Sequence, residues 1–422
     1  MRSKSDKKKS LVPRLRFPEF REAGAWEVKR LGDVAALKNG YAFKSSKYSD
    51  NGAYKVVTIA NVQAGHMSIE DMQRISPLPS DLQTHQKLSA GDILISMTGN
   101  VGRICYVLID DCLLNQRVGK LVPTKIDKEF FYHSIQNGNF QTAMQERAKG
   151  GAQGNLSAKD ILQHVIYYPN NKHEQQKIAH CLSSLDEVIG LQAKKVQALK
   201  QHKKGLMQQL FPAEGETTPR LRFPEFREAG AWEVKELIKL AGRGTERNQK
   251  GKIKRVLTNS AEHGVLDQRE YFDKDIAIQG NLENYFVVDQ GDFVYNPRIS
   301  SFAPVGPISR NDVGKGVMSP LYTVFSFRQS DTDFFAHYFN SSAWHSYMRK
   351  VGSTGARHDR MAISNSDFLA MPLSVPNPKE QQKIAHCLSS LDEVIGLESH
   401  KLDALKNLKK GLMQQLFPQD VA

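Results

Sequence analysis

Residues 174–191 read EQQKIAHCLSSLDEVIGL, and residues 380–397 repeat them letter for letter at an offset of 380 − 174 = 206 residues. Residues 13–29 (PRLRFPEFREAGAWEVK) return at 219–235, and residues 203–212 (KKGLMQQLFP) return at 409–418, both at the same offset. A constant offset across three blocks is the mark of a tandem duplication. The chain is a frame of about 206 residues written twice after a short basic leader. Between the matched blocks, residues 30–171 and 236–377 hold equivalent places yet share little beyond fragments. Gly91-Asp92 before Ile93-Leu94-Ile95 corresponds to Gly291-Asp292 before Phe293-Val294-Tyr295. Glycine-bearing loops at 148–155 and 351–356 each lead into an Asp and two apolar residues. One mount carries two different modules.

The second and third blocks join into one long helix per copy. Asn171 with Glu174, and Asn377 with Glu380 behind Pro378, fit capping-box spacing, and Pro212 and Pro418 stop the two helices. Between these points apolar residues fall four and three apart: Ile178, Leu182, Leu185, Ile189, Val196, Leu199, Leu206 and Leu210. The copy places Ile384, Leu388, Leu391, Ile395, Leu402, Leu405, Leu412 and Leu416 in the same slots. A 4-3 repeat of this length is a coiled-coil seam, and about forty residues of helix make a rod of roughly 60 Å. The economical partner for each seam is the other helix, in an antiparallel pair whose register the polar seam residues Gln192, Lys203, Glu398 and Lys409 fix. The expected fold class is α+β: two mixed α/β domains joined by two long helices in an antiparallel coiled coil, a pseudo-two-fold tandem repeat. The expected boundaries are a disordered leader at 1–12, a first module at 13–171, a first helix at 172–212, a linker at 213–218, a second module at 219–377 and a second helix at 378–418. Two unlike modules in opposite senses suit an asymmetric two-part site on duplex DNA.

Composition bounds the rest. A chain of 422 residues, 40% hydrophobic and 24% charged, is globular and too long for one core. No apolar run reaches the 18 or so residues that span a bilayer, and the lysines near the start are not followed by a signal-peptide core. Four cysteines without C-x-x-C spacing argue against a disulfide framework or zinc ribbon, which fits a reducing cytoplasm. The 58 basic and 45 acidic residues leave a net charge of +13, a mild pull toward polyanions.

The duplicated L-R-F-P-E-F…W-E blocks (15–27, 221–233), the duplicated E-Q-Q-K-I-A helix starts (174–179, 380–385) and the two divergent inserts resemble the specificity subunits of Type I restriction–modification enzymes. Within the inserts, G-D-I-L-I-S (91–96) with G-N-V-G (99–102) and N-Q-R (115–117) looks like one variety of target-recognition domain, and G-D-F-V-Y-N-P (291–297) with S-P-L-Y (319–322) looks like another. The resemblance implies that each insert reads one half of a split DNA sequence. The helices would span the unread gap and dock two methyltransferase subunits. S-adenosylmethionine would belong to those subunits, and ATP, Mg and nuclease action to further restriction subunits, leaving no catalysis and no cofactor here.

The residues support that division of labour on their own account. There is no G-x-x-x-x-G-K-[ST], and Asn296-Pro297-Arg298 lacks the second proline and aromatic of an amino-methyltransferase motif. Asp110-Asp111 reads as a solvated turn, Cys105 and Cys112 as buried strand residues, and Cys181 with His180 and Cys387 with His386 as packed helix positions. Candidate DNA contacts in the first module are Asn100, Arg103, Gln116, Arg117, Lys149, Gln153 and Asn155. In the second they are Arg243, Arg247, Lys250, Lys252, Lys254, Arg255, Arg298, Arg357, His358 and Arg360. The helix lysines Lys194, Lys195, Lys200, Lys204, Lys401, Lys406 and Lys410 either follow spacer phosphates or face water. Two other classes compete: a coiled-coil scaffold with no nucleic-acid role, which gives no reason for basic looped inserts, and an insert-borne nuclease or methyltransferase, for which the motifs are missing.

Overall fold

The computed structural model describes residues 11–136, 138–149, 154–271, 282–354 and 359–418. The chain divides into two units, one built from residues 1–192 and 401–422 and the other from 193–400. Both divisions fall inside the long helices, Lys172–Leu210 and Pro378–Leu416. Each unit combines one module with a stretch of each helix. Of the basic leader, residues 1–10 lie outside the described residues. Leu11 already accepts a bond from Trp26 N at 3.0 Å, and Thr217, in the expected linker, accepts the equivalent bond from Trp232 N at 2.7 Å.

The helix starts follow the sequence in part. Asn171 Oδ1 accepts from His173 N at 2.9 Å, and Asn377 Oδ1 from Glu380 N at 3.0 Å, so both asparagines cap. The glutamates do not complete capping boxes. Glu174 instead takes Arg16 Nε and Nη2 at 2.7 and 2.8 Å and Trp26 Nε1 at 3.2 Å. Glu380 takes Arg222 Nε and Nη2 at 2.6 and 2.7 Å and Trp232 Nε1 at 3.3 Å. Both glutamates are fully buried, and a carboxylate in that setting goes to a cation and an indole N–H rather than to its own helix start.

In the first unit, Glu27–Arg30 pairs antiparallel with Val165–Tyr168 in front of the helix. A four-stranded antiparallel sheet runs Ala35–Asn39, Val118–Pro123, Ile93–Ser96, Ile104–Tyr106. A second sheet runs Gln73–Ile75, Tyr54–Val57, Cys112–Leu114, Lys87–Leu88, with its middle pair parallel. The second unit repeats this order in unlike sequence. Glu233–Glu236 pairs with Pro372–Val375, and Ala241–Arg243, Thr323–Phe327, Phe293–Tyr295, Ile308–Arg310 form the four-stranded sheet. Leu257–Ser260 pairs with Gly264–Asp267, Phe286–Val288 with Gly316–Met318, and a parallel bridge from Val256 to Val317 joins those two pairs. The chain is thus α+β, one fold used twice. Cys105 and Cys112 are buried on strands as expected.

The seam residues have two destinations. Ile178, Leu182 and Leu416 enter the first module's core with Trp26, Phe130 and Phe131. Leu210, Ile384 and Leu388 enter the second with Trp232, Phe334 and Tyr338. Seam ends are therefore domain core. Leu185, Ile189, Leu199, Leu206, Leu391, Ile395, Leu402, Leu405 and Leu412 are half-buried, while Val196 is buried. In the second unit Lys195 pairs with Glu398 and Lys203 with Asp392, numbers that rise on one helix as they fall on the other. In the first unit Lys409 Nζ donates to Asp186 at 2.6 Å. Within each unit the two helix segments run antiparallel, and three of the four polar seam residues make the ion pairs that hold their register. The fourth, Gln192, is buried.

Candidate functional site

In the first module three loops meet at Met97. Met97 N donates to Arg117 O at 3.0 Å, and Leu156 N donates to Met97 O at 2.8 Å. These bonds gather the loop 97–103, the turn at 115–117 and the stretch at Asn155 at one end of the buried strand Ile93–Ser96. The first loop is tight because Gly102 adopts φ +77°, and a Cβ there would come within 2.7 Å of Met144 Cβ. Asn100, Gln116, Arg117 and Asn155 are exposed on this end. Arg103 is half-buried and its Nη1 donates to Gln63 Oε1 at 2.6 Å, so it braces the loop. Lys149 is exposed at the end of the helix Gly138–Lys149, and Gln153 lies outside the described residues.

The second module has the same joint with different contents. Met361 N donates to Pro297 O and Ile299 N to Asp359 O, each at 2.9 Å. This sets Arg298 opposite Arg360, and both line a cleft of 540 Å³ with Asn296, Phe302, Leu321 and Tyr322. The basic run between 243 and 255 stays outside that cleft and divides. Arg243, Lys250, Lys252 and Lys254 are exposed, on a stretch braced by buried Asn248, which bonds Ile253 through both N–H and C=O. Arg247 stacks over the Phe286 ring at 4.1 Å and donates to Asn284 O. Arg255 is tied to Asp267 at 3.0 Å and to Val313 O at 2.6 Å. Arg357 and His358 lie outside the described residues.

Sequence reasoning missed Phe302 and Leu321, which stand in the cleft 71% and 58% exposed. A lone apolar residue in a Ser-Ser-Phe-Ala-Pro stretch was the available signal. It also missed a paired feature under the helices. His133 Nε2 lies 2.9 Å from Ser183 Oγ and His337 Nε2 2.9 Å from Ser389 Oγ. Burial, followed by Lys409 in one case and Lys203 in the other, drives both imidazoles down to about 4. Among the described residues no cluster of three or more His, Cys, Asp or Glu could hold a metal ion, and no helix is long and apolar enough to cross a membrane.

The family model described as Type I restriction modification DNA specificity domain matches twice, at residues 24–201 and 240–407. A putative type I restriction enzyme specificity subunit, MjaX, from Methanocaldococcus jannaschii is 23% identical over 425 residues, covering 93% of this chain and 92% of that one. A crystal structure of a Type I restriction-modification S subunit from M. genitalium has the same fold, with TM-score 0.57 and 14% identity over 97% of this chain and all of that one. A second solved structure, from work on complex assembly and conformational transition of the type I R-M system, matches at TM-score 0.51 and 16% identity over 94% of this chain and 98% of that one.

Proposed function

The chain belongs to the Type I restriction modification DNA specificity family, and from that premise we propose that its two modules read the two halves of one asymmetric DNA site. The observation that carries this reading is the repeated fold with unlike loop ends: one sheet order twice, with Asn100, Gln116, Arg117 and Asn155 on one copy and Arg298 with Arg360 on the other. Amide and guanidinium side chains on braced loops are the groups that reach base edges, while exposed lysines such as Lys250, Lys252 and Lys254 suit phosphates. The long helices set the gap between the half-sites.

Partners follow from the duplicated helix surface. Val188 and Leu191, and their copies Val394 and Leu397, are 46%, 60%, 40% and 70% exposed within letter-identical stretches. Two apolar patches of the same sequence suit two copies of one methyltransferase subunit. S-adenosylmethionine chemistry then resides on that subunit, ATP and Mg on restriction subunits when these join, and the work is done in the cytoplasm where the DNA is. This chain supplies recognition and no catalysis.

If the helices set the gap, one gap length should be preferred. Adding or removing one base pair moves the second half-site by about 3.4 Å and turns it by about 34°. Gel-shift titration of the complex with its methyltransferase subunits, on DNAs whose gap varies by one or two base pairs, should show affinity falling on the order of a hundredfold on either side of one length. Equal affinity across gap lengths would remove the helices from this role.

A further inference from the structure

Arg298 and Arg360 occupy an unfavourable arrangement for a free protein. The flanking bonds, Ile299 N to Asp359 O and Met361 N to Pro297 O, make them the non-hydrogen-bonded pair of a short antiparallel bridge. In that geometry opposed side chains leave the same face with Cα atoms about 4.5 Å apart, and like charges there repel. Among the described residues the ion pair that Arg298 makes is loose, Nε to Asp359 at 3.9 Å, and Arg360 makes no side-chain hydrogen bond or ion pair. A repulsive pair this poorly compensated is positioned for acceptors that come from outside.

The surrounding loop is built to hold still. In the first module residues 97–103 join the strands Ile93–Ser96 and Ile104–Tyr106; in the second, residues 296–307 join Phe293–Tyr295 to Ile308–Arg310. The longer connection is clamped at its base. Buried Asn259 donates to Val294 O at 2.8 Å, Asn296 Nδ2 donates to Asn259 O at 2.8 Å, and Asn296 Oδ1 accepts from Arg298 N at 3.0 Å. Gly306, at φ +80°, lets the return strand pass where a Cβ would collide with the Asn296 carbonyl. At the tip, Ser300 and Ala303 exchange backbone bonds of 3.0 and 3.2 Å, which leaves Phe302 standing in solvent.

Resting on the DNA-reading role proposed above, we infer that Arg298 and Arg360 together read a guanine in the second module's half-site, with Phe302 packed against the neighbouring base. Guanine is the base whose major-groove edge offers two acceptors, O6 and N7, and two adjacent guanidinium groups supply donors to both. The flat apolar ring of Phe302 suits a thymine methyl or an opened base step beside it.

The test is long-read methylation mapping of hosts carrying the full chain and its methyltransferase partner, with Arg360→Gln, Arg298→Gln and Phe302→Ala compared with the parent. All three side chains are at the surface or lining the cleft, and melting curves of the purified complexes check that folding is kept. The expected result is that Arg360→Gln relaxes one G·C position in one half of the motif, leaves the other half untouched, and weakens binding to the parent site on the order of ten- to a hundredfold. Loss that is equal on all sequences, with a salt slope shallower by about one, would make these arginines phosphate contacts and overturn the inference. So would an unchanged motif, or a half-site without a G·C pair. A parent complex that methylates no two-part motif would instead sink the function it rests on.

Discussion

Replacing Glu380 by alanine will destabilise the second unit by about 3–5 kcal/mol, because it leaves the partly buried Arg222 guanidinium and the buried Trp232 indole without their carboxylate. Arg222 approaches Glu380 through two parallel bonds of 2.6 and 2.7 Å, and its Nη1 donates to the Gly230 carbonyl at 3.0 Å. The Trp232 indole N–H is committed to the same carboxylate. With the carboxylate gone, the guanidinium keeps the Ala229 and Gly230 carbonyls but no counter-charge, and the indole N–H loses its acceptor in the core. The residues tied together come from three places: the lead-in at 222, the tryptophan at 232 and the first turn of the long helix. Losing the tie therefore loosens the helix where Ile384 and Leu388 join the domain core. Glu174→Ala should do the same to the first unit through Arg16 and Trp26. Chemical denaturation followed by hydrogen exchange reads the outcome unit by unit. A double change, Arg222→Met with Glu380→Leu, should recover much of the loss by removing both charges. Melting unchanged in Glu380→Ala would mean that the carboxylate is not the tie described.

Acid will destabilise both units in the window from about pH 6.5 down to about 4. His133 and His337 are almost fully buried, and their imidazoles titrate at about 4 rather than at the usual 6.5. Desolvation is the first cause, and the cations Lys409 and Lys203 on the long helices oppose protonation further. A depressed folded-state value means the unfolded chain binds the proton first as pH falls. Stability from this source is complete above about 6.5 and is lost progressively down to about 4, at most about 3 kcal/mol for each histidine. Denaturant titrations at stepped pH should show this slope, and His133→Gln with His337→Gln should flatten it while keeping a side-chain group to meet Ser183 and Ser389. A double variant as acid-sensitive as the parent would assign the slope to other groups.

The frame was readable from sequence because its signals lie in the letters themselves and need no three-dimensional partner. Identity at one offset gives the duplication, and a 4-3 spacing from Ile178 to Leu210 needs no knowledge of the rest of the chain. Reading failed where a distant partner decides. Glu174 has capping-box spacing from Asn171, yet Arg16, 158 residues upstream, takes its carboxylate. Leu210 and Leu416 keep the heptad but end inside domain cores, since a seam and a core demand the same apolar residues. The common sheet order of the two inserts was hidden for a related reason: buried strands such as Ile93–Ser96 and Phe293–Tyr295 need apolar residues without needing the same ones. Arg298 could be named as a candidate, but its partnership with Arg360 exists only through backbone bonds across a 62-residue separation.

That one chain holds two independent readers is tested most directly by exchange. Residues 30–171 would be replaced by the insert of another member of the family, and the methylated motif mapped by long-read sequencing in a host that also carries the methyltransferase subunits. The expected result is a new sequence in one half, the old sequence in the other, and the same number of base pairs between them. A motif altered in both halves, or in neither, would contradict it.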